Sequence, residues 1–187
     1  MPLSPEERRI LLRLARESIE HVVYGRPLPP LDLQALPPAL RQPGVVFVTL
    51  TKDGALRGCI GALEAYQPLA EDVREHAAAA ATQDYRFPPV RPDELPDIAI
   101  EISRLTPPAP LPYEDPKTLP TLLRPHVDGV VLRDGFRRAT FLPQVWEKIP
   151  DPHAFLSQLC LKMGAPPDLW QRKILEVSTY QVEEFAE

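Results

Sequence analysis

Two Asp-Gly dipeptides, Asp53-Gly54 and Asp134-Gly135, each stand between two runs rich in β-branched and apolar residues. That arrangement commits the chain to antiparallel hairpins, because a tight two-residue turn needs positive φ, which Gly and Asp supply most cheaply. Val45 to Thr51 leads into the first turn and Ala55 to Gly61 returns from it. Gly129-Val130-Val131-Leu132 leads into the second, and Arg137 to Leu142 returns. Ile98 to Leu105 alternates isoleucines with Ala99, Glu101 and Ser103, the pattern of a half-buried strand, and Thr106-Pro107-Pro108 stops it. Glu176 to Phe185 reads as one further strand near the C-terminus, with Val177, Thr179 and Val182 as good strand formers.

Helices fall between these strands. Ser4-Pro5-Glu6-Glu7 places a capping hydroxyl, a proline at the first helical position and a glutamate at the third, followed by Ile10, Leu11, Leu14, Ser18 and Val22 on one face. Pro68 opens a second helix through Leu69, Val73, His76 and the alanine run Ala77 to Ala81, which is expected to end near Asp84. Asp151-Pro152 caps a third that carries Phe155, Leu156, Leu159, Cys160 and Met163 and closes at Gly164. Between Arg26 and Pro43, prolines and leucines alternate, predicting an ordered loop with a short helical turn. Helices and hairpins mix without βαβ regularity, so the fold class is α+β: a largely antiparallel sheet with flanking helices, in two lobes of unequal size. The whole chain, 1–187, is read as a single domain whose chain crosses between the lobes more than once.

With 187 residues the chain can bury a core without disulfides or metals. The formal charge is -5 and basic residues are scattered, so nothing marks a nucleic-acid surface. Two cysteines make no disulfide framework, which suits a reducing compartment. No signal-like leader and no membrane-length apolar run occurs, so a cytoplasmic protein is expected. The 25 prolines and the absence of asparagine fit stiffened loops and avoidance of thermolabile side chains, as in thermophiles.

Leu56-Arg57-Gly58-Cys59-Ile60-Gly61 is followed by Pro68-Leu69, by Asp84-Tyr85-Arg86-Phe87-Pro88-Pro89 and by Ile100 to Pro108. Further on come Asp128-Gly129-Val130, Phe141-Leu142-Pro143-Gln144-Val145 and the stretch from Cys160 to Trp170. In these motifs the chain resembles the AMMECR1 family over nearly its whole length. The resemblance implies a two-lobed α+β fold, a stand-alone domain, and a pathway shared with a Memo-like protein and a radical SAM protein. It implies no assigned reaction.

The chemistry, if any, centres on Cys59. A two-residue turn at Asp53-Gly54 pairs Lys52 with Ala55, Leu50 with Arg57 and Val48 with Cys59, which puts Arg57 and Cys59 on one face. A guanidinium there favours a thiolate, and Gly58 and Gly61 let a ligand or a second backbone approach. The opposing reading makes Cys59 a small strand hydrophobe and the glycines packing residues. Asp84 and Arg86 either reach a pocket beside the hairpin or form an ion pair that holds their loop. Glu101 is a candidate general base if its sheet face is covered, and ordinary solvent-side charge if that face is open.

His76 reads as a packed core residue, and Cys160 as inert core on a helical stripe. His21, His126 and His153 show no metal spacing, and no phosphate loop, dinucleotide fingerprint, nucleophile elbow or zinc signature occurs, so no cofactor is expected. Two functions remain open. One is an enzyme, or an enzyme component of a modification pathway, with a site between lobes in which Cys59 is the nucleophile, aided by Asp84, Arg86 or Glu101. The other is a non-catalytic binding or adaptor protein that offers the Arg57 to Gly61 surface to a small anion, a peptide or a pathway partner.

Overall fold

The computed structural model describes residues 1–187 and divides into two compact units, Met1–Leu105 with Glu183–Glu187, and Thr106–Val182. In the first unit, helix α1 (Pro5–Val23) begins with the capping box foreseen at Ser4: Glu7 N donates to Ser4 Oγ (3.2 Å) and Ser4 N donates to Glu7 Oε2 (2.7 Å). The proline-leucine stretch holds a short 3-10 turn (Leu33–Ala35) and a single-turn helix α2 (Pro38–Arg41). Strands β1 (Val45–Lys52) and β2 (Ala55–Gly61) form the first hairpin, with Asp53 and Gly54 both at positive φ.

Helix α3 (Leu69–Thr82) follows, then a 3-10 turn (Pro92–Asp97) and strand β3 (Ile98–Leu105). The sheet order is β2-β1-β3-β8, where β8 (Val182–Ala186) is supplied from the far end of the chain. Val46, Val48, Leu50, Ile98, Ile100 and Ile102 turn inward onto α1 and α3, packing with Leu11, Ile19, Val73, Ala77 and Ala80. The opposite sheet face carries Thr49, Cys59 and Glu101.

In the second unit β4 (Ala109–Pro110), a single-turn helix α4 (Leu119–Leu122), β5 (Gly129–Asp134), β6 (Arg137–Phe141), helix α5 (Pro152–Lys162), a single-turn helix α6 (Leu169–Arg172) and β7 (Glu176–Tyr180) build a sheet of order β4-β7-β5-β6. Its core centres on Trp146 stacked on Phe155, ring centroids 3.7 Å apart, with Cys160 fully buried beside them. Burial pushes the Cys160 thiol up, as expected of a core cysteine.

Two local readings are corrected. The second hairpin closes on Asp134 paired with Arg137, so the turn residues are Gly135 and Phe136, with positive φ at Gly135. The run Glu176 to Phe185 is two strands, not one: Gln181 separates β7 in the second sheet from β8 in the first. Gln181 is clamped by Thr106, whose N–H donates to Gln181 O while Thr106 Oγ1 accepts from Gln181 N, both at 2.8 Å. That long-range pair bends the chain where composition alone shows a continuous run.

Candidate functional site

The hairpin register departs from the simple expectation at one point. Lys52 pairs with Ala55 and Thr51 with Leu56, but Leu50 then pairs with Gly58, so Arg57 is the extra residue of a β-bulge. Beyond the bulge every partner shifts by one. Thr49, not Val48, lies opposite Cys59, and Thr49 Oγ1 sits 3.3 Å from Cys59 Sγ. On its other side Thr49 pairs with Glu101, so Cys59, Thr49 and Glu101 form a row across three strands.

Arg57 does not serve the thiol. Its Nε and Nη2 donate to the two oxygens of Glu94 (3.2 and 3.0 Å), and Nη1 and Nη2 donate to the carbonyls of Pro88 (2.8 Å) and Pro89 (3.4 Å). Lys52 Nζ adds a third cationic contact to Glu94 at 3.2 Å. Arg57 foremost, helped by the Arg91 N–H and by Lys52, holds the buried Glu94 carboxyl down to about 2. Bulge and ion pair explain each other: the inserted residue lets the guanidinium leave the ladder and fasten the 88–94 segment to the hairpin.

Asp84 and Arg86 meet Cys59 through its backbone. Cys59 N donates to Asp84 Oδ2 (2.9 Å), and Arg86 Nη2 donates to Cys59 O (3.4 Å). Arg86 grips Asp84 through Nη2 (2.7 Å) and Nε (3.0 Å), which keeps that buried carboxyl far below the usual carboxylate range. β2 is an edge strand, and this ion pair occupies the place of the missing neighbour at Cys59, satisfying both donor and acceptor. Of the two roles open to the loop, the internal ion pair is the one this geometry displays. Tyr85, between the two paired residues, is 95% exposed.

The glycines of the motif are contact points. A Cβ on Gly58 would strike the carbonyl group of Ala80, so glycine here is what lets the alanine face of α3 lie against β2. A Cβ on Gly61 would run into the Phe47 ring and the Val46 carbonyl oxygen. Ile60 points into the core.

Cys59 itself is half-buried and free. Glu101 is exposed on an open face, two strand spacings or about 10 Å from the cysteine. His76 is buried 3.2 Å from Asp72, which also accepts from Val46 N (2.9 Å) and so ties α3 to β1. All the Cys59 partners come from the first unit. Glu94 and Thr49 were not anticipated. Arg91-Pro92-Asp93-Glu94 repeats the spacing of Ser4-Pro5-Glu6-Glu7, with proline at the first helical position and glutamate at the third, and that likeness could have singled out Glu94.

The model of the AMMECR1 family matches residues 12–185. A protein of Methanothermobacter thermautotrophicus is 44% identical over 191 residues, covering 100% of this chain and 97% of the relative. One from Thermofilum pendens is 40% identical over 202 residues, covering 99% of this chain and 92% of the relative. Among solved structures, an uncharacterised protein from Pyrococcus horikoshii superposes with a TM-score of 0.76 at 35% identity, covering 99% of this chain and 93% of its own.

Proposed function

Because the chain belongs to the AMMECR1 family, we propose that it acts as a non-catalytic docking component in the cytoplasm. It presents the open sheet face of Cys59, Thr49 and Glu101, bordered by Tyr85, to a protein of its own pathway. The partners to try first are the Memo-like and radical SAM proteins that the sequence resemblance implies.

One observation carries this reading: the charges that could activate Cys59 are spent on internal partners. Arg57 is committed to Glu94 and two carbonyls, and Arg86 to Asp84. The exposed Tyr85 meanwhile stands between the paired Asp84 and Arg86, and tyrosine is a usual anchor of protein interfaces. A catalytic alternative draws on the half-exposed thiol beside the Thr49 hydroxyl. It lacks a suitable base: the adjacent Asp84 carboxylate is held far below the usual carboxylate range by Arg86 and is spent on the Cys59 N–H, and Glu101 stands about 10 Å away, well beyond the 2.6–3.2 Å of direct proton transfer.

The test is calorimetric titration of the purified protein with each purified partner. Tyr85→Ala should weaken binding about tenfold or more, and Cys59→Ser should change it less than about twofold. Loss of pathway turnover in Cys59→Ser with binding and folding intact would establish the catalytic reading instead.

A further inference from the structure

A sheet edge exposes unpaired backbone groups, and most edges of this fold are visibly blunted. β2 is capped at Cys59 by Asp84 and Arg86. β4 is only Ala109 and Pro110, and proline has no N–H to offer. On β6 the outward carbonyl of Thr140 accepts from Lys162 Nζ at 2.8 Å. β8, the edge of the first sheet opposite β2, carries no such cap.

At the ends of β8, Thr106 N donates to Gln181 O and Glu187 N donates to Ile100 O. The two contacts are equally spaced along both strands, so the antiparallel ladder between them is regular. Glu183 and Phe185 turn their backbone groups to β3, and Val182, Glu184 and Ala186 turn theirs outward. The strand is firmly held from its other sides. Glu183 accepts from Leu3 N (3.0 Å), Arg8 and Arg104, Glu187 pairs with Arg16, and Phe185 packs on the core. β8 is thus a preformed template, and a segment that adds to it spares the entropy of ordering it.

Charge selects what the template takes. Arginines neutralise Glu183 and Glu187, whereas Glu184 is exposed and has no cationic partner. The register sets Glu184 beside Ser103 and Ala186 beside Glu101, so two uncompensated carboxylates share the outer face at this edge. A second copy added by two-fold pairing along the whole strand would bring Glu184 against its own counterpart, and like charges directly opposite are destabilising. A strand with Lys or Arg at that place is favoured instead.

We propose that the free edge of β8 receives an extended basic segment of a partner protein as an added strand. Its backbone pairs with Val182, Glu184 and Ala186, and a Lys or Arg faces Glu184. The edge lies across the sheet from Tyr85, so this is a second interaction site, separate from the docking face around Cys59.

The experiment titrates the full chain with acetyl-Thr-Val-Lys-Val-Thr-amide, which reads the same in both directions and matches the five residues of β8. Amide chemical shifts and hydrogen exchange follow the binding. Saturation below about 10 mM is expected, with exchange slowed at Val182, Glu184 and Ala186 and unchanged at Glu183 and Phe185. The same peptide with Glu for Lys should bind about fivefold more weakly or worse. Glu184→Lys should reverse that preference without lowering the melting temperature, since Glu184 has no internal partner. Tyr85→Ala should leave peptide binding unchanged, so failure of this edge and failure of the docking face are read separately. Equal binding of the two peptides, undiminished binding after backbone N-methylation of the Lys peptide, protection confined to other residues, or no saturation by about 10 mM would overturn the proposal. A dimer of the chain that protects the same outward amides would overturn it in favour of a second copy.

Discussion

Replacing Gly58 with alanine sets a methyl group against the Ala80 carbonyl, its carbon 3.1 Å from the carbonyl carbon and closer still to the oxygen. The oxygen contact falls roughly 1 Å short of a comfortable separation. Because the obstacle is backbone, no rotamer change relieves it. Either α3 moves off the sheet, loosening Val73, Ala77 and Ala80 from Val48 and Leu50, or β2 tilts and strains the bulge at Arg57. Overpacking of this kind costs about 1–3 kcal/mol, and the rigid obstacle argues for the upper end. Alanine returns about 0.4–1 kcal/mol by restricting the unfolded chain, which leaves a net loss of about 2 kcal/mol. At about 2–4 °C per kcal/mol for a chain of this size, the melting temperature should fall about 4–8 °C, read by circular dichroism. Gly54→Ala is the control: nothing lies within 4 Å of its added Cβ and φ is +77°, so it should lose only about 1 kcal/mol to left-handed backbone strain. A fall below about 2 °C for Gly58→Ala would refute the claim that the glycine exists for the approach of the helix.

Thr49→Cys should form a disulfide with Cys59 on oxidation, because the two residues are register partners whose outward backbone groups mark a non-hydrogen-bonded pair, while Val48→Cys should not; peptide mapping under non-reducing conditions decides. Asp84→Ala should speed exchange of the Cys59 amide and lower stability by about 1–3 kcal/mol, by removing the acceptor of that buried-edge N–H; unchanged exchange would mean the edge is not capped there. Glu94, with an ordinary value of 4.5 and a folded one of about 2, contributes stability that is full above about pH 5 and lost as pH falls towards 2. The gap in urea midpoint between the native protein and Glu94→Gln should therefore be open at about pH 6 and closed near about pH 2, and a gap that ignores pH would refute the role of the Arg57–Glu94 pair.

What could be read from the residues was what neighbours in sequence decide. The alternation of Ile98 to Leu105 placed a strand with the bounds the fold shows, and Ser4 to Glu7 placed the start of α1. The first Asp-Gly dipeptide located its turn for the same reason. The bulge was hidden because its causes lie far along the chain: Glu94 pulls Arg57 out of the ladder and Ala80 presses on Gly58. One inserted residue then exchanged Val48 for Thr49 as the neighbour of Cys59. The break at Gln181 likewise depends on Thr106, and no local preference signals it. The hexapeptide Leu56 to Gly61 turns out to hold separate duties, most of them packing: Gly58 is buried, Leu56 is exposed and the other four are half-buried.

The Asp84–Arg86 pair at the edge of β2 has a consequence for how the sheet ends. A further strand would satisfy Cys59 but present its own unpaired outer edge, handing the same exposure one place outward. A carboxylate and a guanidinium satisfy the donor and the acceptor and then stop, offering no peptide groups for another chain to extend. Growth of the sheet is terminated there by chemistry that cannot propagate, leaving the surface around Cys59 open to side-chain recognition and closed to strand addition.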